Sequence, residues 1–326
     1  MKFTRLLYIL LTALPAFSEA QPNCAYCGKE IKGNYLVYEG NNYHSACFEK
    51  IVPKCGHCGE SLAGQEYVKT ENGQYHESCY FEHVALKCDI CSQPFTGNYT
   101  EDYWGNKYHS HHENELERCD YCGRLMAEHI TRGGYVYDDG RHICGICNET
   151  AVSTIGEAEN IGREIQRFLA AEGISVDVSK IPLHLVDRKR LGILSGTVSP
   201  HEMGFCHSVT TTRNDQIIAR SDDIYILYGV PARTFEGILA HEMLHAWVHR
   251  NAKEELPKKV SEGMANYASY LVFSQYDDKI AEYHMSSMME SNDPVYGDGF
   301  REVKRSVERY GLRRVLESVE NRGKLP

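Results

Sequence analysis

An α+β chain in two unlike parts is what the sequence predicts, and three observations predict it. Cysteine pairs recur, with starts 31, 33 and 31 residues apart, as far as Cys147; beyond it apolar residues take up a helical spacing; and one predicted helix carries His241-Glu242-Met243-Leu244-His245. At 326 residues the chain has material for two or more domains. The balance of 35 Lys+Arg against 45 Asp+Glu, a net of −10, argues against an electrostatic grip on nucleic acid or on an anionic membrane surface.

The first element is a leader. Lys2 and Arg5, the nearly unbroken apolar run from Leu6 to Phe17, and the small residues Ser18 and Ala20 have the anatomy of a signal peptide over 1–20, cut before Gln21. The run is too short for a bilayer, which takes about 20 residues, and no later stretch is longer and apolar, so no integral membrane span is expected. A periplasmic or secreted location is expected if the segment is removed, and a cytoplasmic one otherwise.

Residues 21–148 read as four copies of one metal-binding module. They pair Cys24 and Cys27 with His44 and Cys47, Cys55 and Cys58 with His76 and Cys79, Cys88 and Cys91 with His109 and His112, and Cys119 and Cys122 with Cys144 and Cys147. The halves are separated by 16, 17, 17 and 21 residues. Each C-x2-C sets two thiolates on one knuckle, often closed by a glycine (Gly28, Gly59, Gly123), and the second pair completes a tetrahedron of sulfur and nitrogen donors. Twelve of the thirteen cysteines and four histidines thus fill four closed, structural zinc sites with none left over. A disulfide framework, which an exported chain would favour, has no use for the histidines. Such small modules bury little apolar area, so metal supplies most of their folding free energy.

Paired modules of this kind resemble LIM domains, which implies surfaces for protein partners. The linkers of 7, 8 and 6 residues between modules depart from the two-residue spacing usual there. Nucleic acid fits badly, because Cys24 to Cys147 holds 11 Lys+Arg and 18 Asp+Glu, a net of −7.

Residues 149–326 keep one cysteine, Cys206, and carry the predicted chemistry. Ile155 to Ala171 suits an amphipathic helix; Ile181 to Val186 and Gln216 to Ala219 are short strands, and Asp223 to Gly229 is a stronger one, stopped by Gly229 and Pro231. A helix from about Arg233 to His249 comes next. Histidines at i and i+4 on it stand about 6 Å apart along the axis and about 40° apart around it, so His241 and His245 can reach one metal ion. His249 lies too far up the helix to join them. Glu242 can meet a water on that ion, the H-E-x-x-H logic of zinc peptidases. A third protein ligand leaves a fourth position open. Glu262, at the start of a helix read from Ser261, supplies it in a zincin-like, gluzincin-type arrangement.

Ile226 to Pro231, Ile238-Leu-Ala-His-Glu-Met-Leu-His-Ala-Trp247 and Glu262-Gly263 closely resemble the peptidase domain of the DA-one family, LIM-containing peptidases of plants; Gly204-Phe205-Cys206 and Val209-Thr210-Thr211 look like a family segment too. The resemblance implies a zinc-dependent endopeptidase acting on proteins, one catalytic and four structural Zn2+, and Cys206 as site wall or core. The signal-like segment at the start departs from the family and leads us to expect a bacterial or exported relative with other substrates. The acidic ubiquitin-interacting helices of that family are not seen ahead of the fingers, so ubiquitin dependence is not carried over.

In that expectation Glu242 takes the proton of the attacking water. Tyr267, Tyr270 and His284 are candidates for steadying the oxyanion, and the strand Ile224 to Tyr228 for pairing with an extended substrate. The alternative is a catalytically inert LIM-type adaptor with a merely structural metal on the helix.

Overall fold

The computed structural model describes residues 2–5, 9–11, 21–197, 199 and 202–326. Most of the expected signal peptide lies outside the described residues. Its described backbone pieces, Lys2–Arg5 and Ile9–Leu11, pair antiparallel with Glu66–Thr70 and Tyr35–Tyr38. No helix among the described residues is long and apolar enough to cross a membrane.

The chain divides into two compact units, one of residues 1–100 with 107–110 and one of 101–106 with 111–326. In the first, each of the two leading modules is a hairpin followed by a helical turn: Tyr35–Tyr38 with Asn41–Tyr43 and then Ser45–Ile51; Glu66–Thr70 with Gly73–His76 and then Glu77–Cys79. Their apolar content is modest, and Ile31, Leu36, Phe48, Val52, Leu62 and Tyr67 form a small core of their own.

The second unit holds the fourth module and everything after it. The module itself is the hairpin of Gly134–Val136 with His142–Cys144, followed by the turn Gly145–Asn148. Its four cysteines belong to the same buried cluster as the helices of the C-terminal region, so the contacts do not divide at the boundary expected near 148–153. Next comes α1 (Ile155–Ala171), opened by a capping box between Thr154 and Glu157 and burying Ala158, Gly162, Ile165 and Leu169 along one face.

A three-stranded sheet comes after it: β1 (Leu183–Val186), then α2 (Arg188–Ser195), β2 (Gly204–Arg213) and β3 (Gln216–Leu227). The order is β1-β3-β2, with β3 parallel to β1 and antiparallel to β2. The two strands expected at Gln216 to Ala219 and Asp223 to Gly229 are thus one. The charged stretch between them stays in the strand because Asp222, buried, accepts from Ser208, His249 and Arg250.

Five helices complete the unit: α3 (Ala232–Asn251), α4 (Lys258–Phe273), α5 (Lys279–Glu290), α6 (Tyr296–Tyr310) and α7 (Leu312–Arg322). The second of these starts three residues before the expected Ser261, directly after Pro257, whose fixed φ suits a helix start. Helix α3 buries Phe235, Leu239, Met243, Leu244 and Trp247. Two close approaches fix the packing of α4, on α3 and on α6: a Cβ at Gly237 of α3 would come 2.2 Å from the Phe273 ring of α4, and one at Gly263 of α4 only 2.4 Å from the Gly299 carbonyl oxygen on α6. Only glycine fits there, since filling such space forces backbones apart.

Candidate metal centre

Helices α3 and α4 present three side chains to one point. His241 and His245 are one turn apart on α3, and their Nε2 atoms stand 3.1 Å from each other. Glu262, on the second turn of α4, places Oε2 3.3 Å from His241 Nε2 and 3.5 Å from His245 Nε2. Ligands of one tetrahedral zinc at about 2.0–2.1 Å lie roughly 3.3 Å apart, so these spacings would suit a shared ion. The donor set, two imidazoles and one carboxylate, fits a divalent metal with a position to spare.

The α4 start is pinned by Gly263 against Gly299, and Ser269 Oγ donates to the Gly237 carbonyl at 2.7 Å, so the two helices cannot slide past each other freely. Outer partners fix the rings. His241 Nδ1 lies 3.1 Å from Asn266 Oδ1, and the Asn266 amide donates in turn to the Tyr296 carbonyl at 3.1 Å; His245 Nδ1 lies 3.4 Å from Ser261 Oγ. Such contacts set which nitrogen faces a metal. Sequence reasoning misses Asn266 and Ser261 in this role, although Asn266 sits four residues past Glu262, on the same helix face.

Burial raises the Glu262 carboxyl, but its bonds to His241 and His245 outweigh that and hold it well below the usual carboxylate range. For His245 burial disfavours charge, and the Glu262 partner pulls its pKa back up, above the ordinary value. Glu242 is different: it is buried, and loss of solvation pushes its pKa up, against the pull of the neighbouring His241 and His245. It lies against β2, where a Cβ at Gly204 would come 2.7 Å from Glu242 Oε1, and it takes a hydrogen bond from the Cys206 backbone. The Cys206 thiol is pushed up to about 12 by burial, consistent with a wall residue rather than a metal ligand.

Several expectations are corrected. The strand Ile224 to Tyr228 is in the middle of the sheet, with β1 on one side and β2 on the other, and has no free edge for a substrate. Among the described residues, the sheet edge beside α3 is that of β2. His284 bonds Thr234 at 2.9 Å and stacks on Phe273, and burial lowers its pKa to about 4. Tyr267 is buried next to Tyr270, with Glu172 and Glu308 as its charged neighbours, so none of the three oxyanion candidates faces the His241 centre. His249, as its distance along the helix demands, bonds Asp222 at 2.6 Å and Thr210 at 2.8 Å.

The cysteine modules gather as their spacing predicts. In the first, second and fourth, the four ligand atoms all lie within 4.8 Å of one another. In the third, Cys91 Sγ and His109 Nδ1 are 3.5 Å apart; His112, three residues on, sets its Nδ1 3.0 Å from Glu115, the kind of outer partner that fixes a ligating imidazole. All thirteen cysteines are free thiols, which removes the disulfide framework. Burial raises the thiols of Cys24, Cys55 and Cys88, but hydrogen bonds from the knuckle backbone outweigh it and bring each down to about 6, ready to bind metal as thiolates.

Comparison with known proteins bears on both halves. A LIM domain is matched over residues 24–84, and the DA1-like family, described as Protein DA1, over residues 197–273 and 268–322. Protein DA1 of Arabidopsis thaliana is 29% identical across 93% of this chain and 68% of its own length. Protein DA1-related 2 of the same plant is 26% identical across 95% of this chain and 71% of its own, and the LIM domain-containing protein HDR3 of Oryza sativa 26% across 93% and 74%. The chain thus carries zinc-type quartets with a LIM domain match in front and a DA1-like region behind, and is similar over most of its length to LIM-containing DA1-like proteins.

Proposed function

We propose that the C-terminal half is a zinc-dependent endopeptidase acting on protein substrates, with the LIM-type modules as surfaces for protein partners. One observation carries the reading: the ligand atoms of His241, His245 and Glu262 converge within 3.5 Å, beside a buried carboxylate, Glu242, that takes no part in the triangle. Zinc held by those three side chains would supply Lewis acidity toward a water or a carbonyl oxygen.

The chain's own residues do the rest. Asn266 and Ser261 keep the imidazoles turned to the ion. The buried Glu242 carboxylate accepts a proton at Oε from the attacking water and returns it to the departing amine, a task suited to a carboxyl with raised proton affinity. Glu262, held ionised by its two histidine partners, stays a ligand and leaves the proton transfer to Glu242. The β2 edge of the sheet starts at Gly204, against Glu242, so an extended peptide paired along it passes the carboxylate.

The test is Glu242→Gln in the full chain. Casein cleavage should fall by at least a hundredfold while zinc content stays the same; undiminished cleavage removes Glu242 from the chemistry, and no cleavage by the unsubstituted chain removes the peptidase reading.

A further inference from the structure

We propose that the fourth module positions the metal helix, and that Arg141 is the residue through which it does so; the proposal rests on the reading that His241, His245 and Glu262 hold a metal. Arg141 lies in the spacer between the module's cysteine pairs and is 1% exposed. Taking a guanidinium out of water that far costs several kcal/mol, which its partners have to offset; Nε and Nη1 are bonded, and Nη2 has no hydrogen-bond partner among the described residues. Its Nε donates to both oxygens of Asp139 at 2.9 Å, and Nη1 to the Tyr121 hydroxyl and to the Tyr228 carbonyl, each at 2.7 Å. The rings of Tyr137 and Tyr228 lie 4.5 and 4.9 Å from its central carbon.

Those partners connect two places. Tyr121 stands inside the Cys119 to Cys122 knuckle; Tyr228 comes directly after β3 and begins the turn into α3. One side chain therefore bonds both the tyrosine that stands between two of the four cysteines and the backbone that leads into the metal helix. The same turn is held at its other atoms. Tyr137 Oη donates to the Gly229 carbonyl at 3.0 Å, the Gly229 N–H donates to Val152 at 2.7 Å, and the Ala232 N–H to Thr150 at 2.8 Å. Residues 150–152 come directly after the module's last turn, Gly145–Asn148. Gly229 has φ +71°, and a Cβ there would come 2.2 Å from the Tyr137 hydroxyl, so the turn and the module are fitted without slack.

The lever is α3 itself. From Ala232 to His241 it rises about 14 Å as one rod, so a tilt at its first residue becomes a displacement at the ring nitrogens. Metal ligands tolerate distance errors of about 0.2 Å. Zinc at the four cysteines would hold Tyr121, and through Arg141 the start of α3, in the one orientation that closes the His241, His245 and Glu262 triangle. The signal is visible in the sequence only as a spacer of 21 residues where the other modules have 16 or 17.

The test uses the full chain loaded with cobalt(II), whose thiolate charge-transfer absorption reports the cysteine centres apart from the histidine-carboxylate one. Arg141→Leu should release the histidine-bound cobalt at a roughly tenfold lower chelator concentration, the size of effect usual for outer supports of a metal ligand, while the thiolate absorption persists. Equal retention in the variant, with unchanged circular dichroism, overturns the proposal. Should Arg141→Leu fail to fold, Tyr137→Phe removes only the bond to Gly229; a few-fold loss of retention supports the proposal and no loss overturns it. If the unsubstituted chain takes up no cobalt outside its thiolate centres, the peptidase reading fails first, and this proposal with it.

Discussion

The first two zinc-type modules and the fourth share the C-x2-C knuckle followed by a second ligand pair, and differ in almost everything around it. Cys27 and Cys58 are exposed, one ligand in each quartet is a histidine, and the apolar residues behind them form a small core separate from the rest. In the fourth module all four ligands are cysteine, each is 5% exposed or less, and they share the large core that carries α3 and α4. The same knuckle therefore serves two physical purposes: a staple that makes a small unit fold by itself, and a cornerstone inside a larger one. The spacing within each ligand pair does not tell these apart; the apolar segments that pack around the ligands do.

That contrast can be broken most directly at the cysteines. Cys144→Ser should destabilise the whole C-terminal unit by on the order of 5 kcal/mol or more, seen as loss of its cooperative thermal transition, because it opens a buried metal centre within the core. Cys27→Ser should leave that transition in place. If both variants melt the unit alike, or neither does, the two kinds of module are not different.

A smaller effect is expected at the helix crossing. Gly263→Ala sets a methyl 2.4 Å from the Gly299 carbonyl oxygen and should cost about 3 kcal/mol in chemical denaturation, with Glu262 displaced and metal retention weakened. A change under about 0.5 kcal/mol would mean that α4 and α6 shift apart easily and that the triangle is not held by this contact.

The smallest is a pH effect confined to the second unit. Burial lowers the His284 pKa to about 4, below its ordinary value near 6.5, so the unfolded chain binds the extra proton first. Stability is full above about pH 6.5 and falls as the pH drops toward 4, by up to about 2 kcal/mol between pH 7 and 5. His284→Gln should flatten that part of the urea-midpoint profile; an unchanged slope assigns it to other groups.

Much of the site can be read from residue order, because both metal patterns are local. H-E-x-x-H places its imidazoles by helix geometry alone, and the sixteen ligands of the modules are fixed by pair spacing. Glu262 emerges from asking which later helix can bring a carboxylate, and α4 does bring it. The rest depends on neighbours distant in the chain. Ile224 to Leu227 looks like a strand whichever strands flank it, so its central place in the sheet is invisible in the sequence and the free edge falls to the wrong strand. Tyr267, Tyr270 and His284 stand out for their chemistry, and only packing shows that they are turned away from the triangle. Asp222 and Arg141 look like surface charges in sequence, yet one anchors β2 and β3 to α3 and the other joins a knuckle to a turn.

The burial of Cys119, Cys122, Cys144 and Cys147 also constrains how the molecule is made. The four thiols are 5% exposed or less and sit in the same core as the helices, so zinc binding there is coupled to the packing of the whole unit. Availability of the metal during folding then acts as a checkpoint on the maturation of the entire unit and not of one small module.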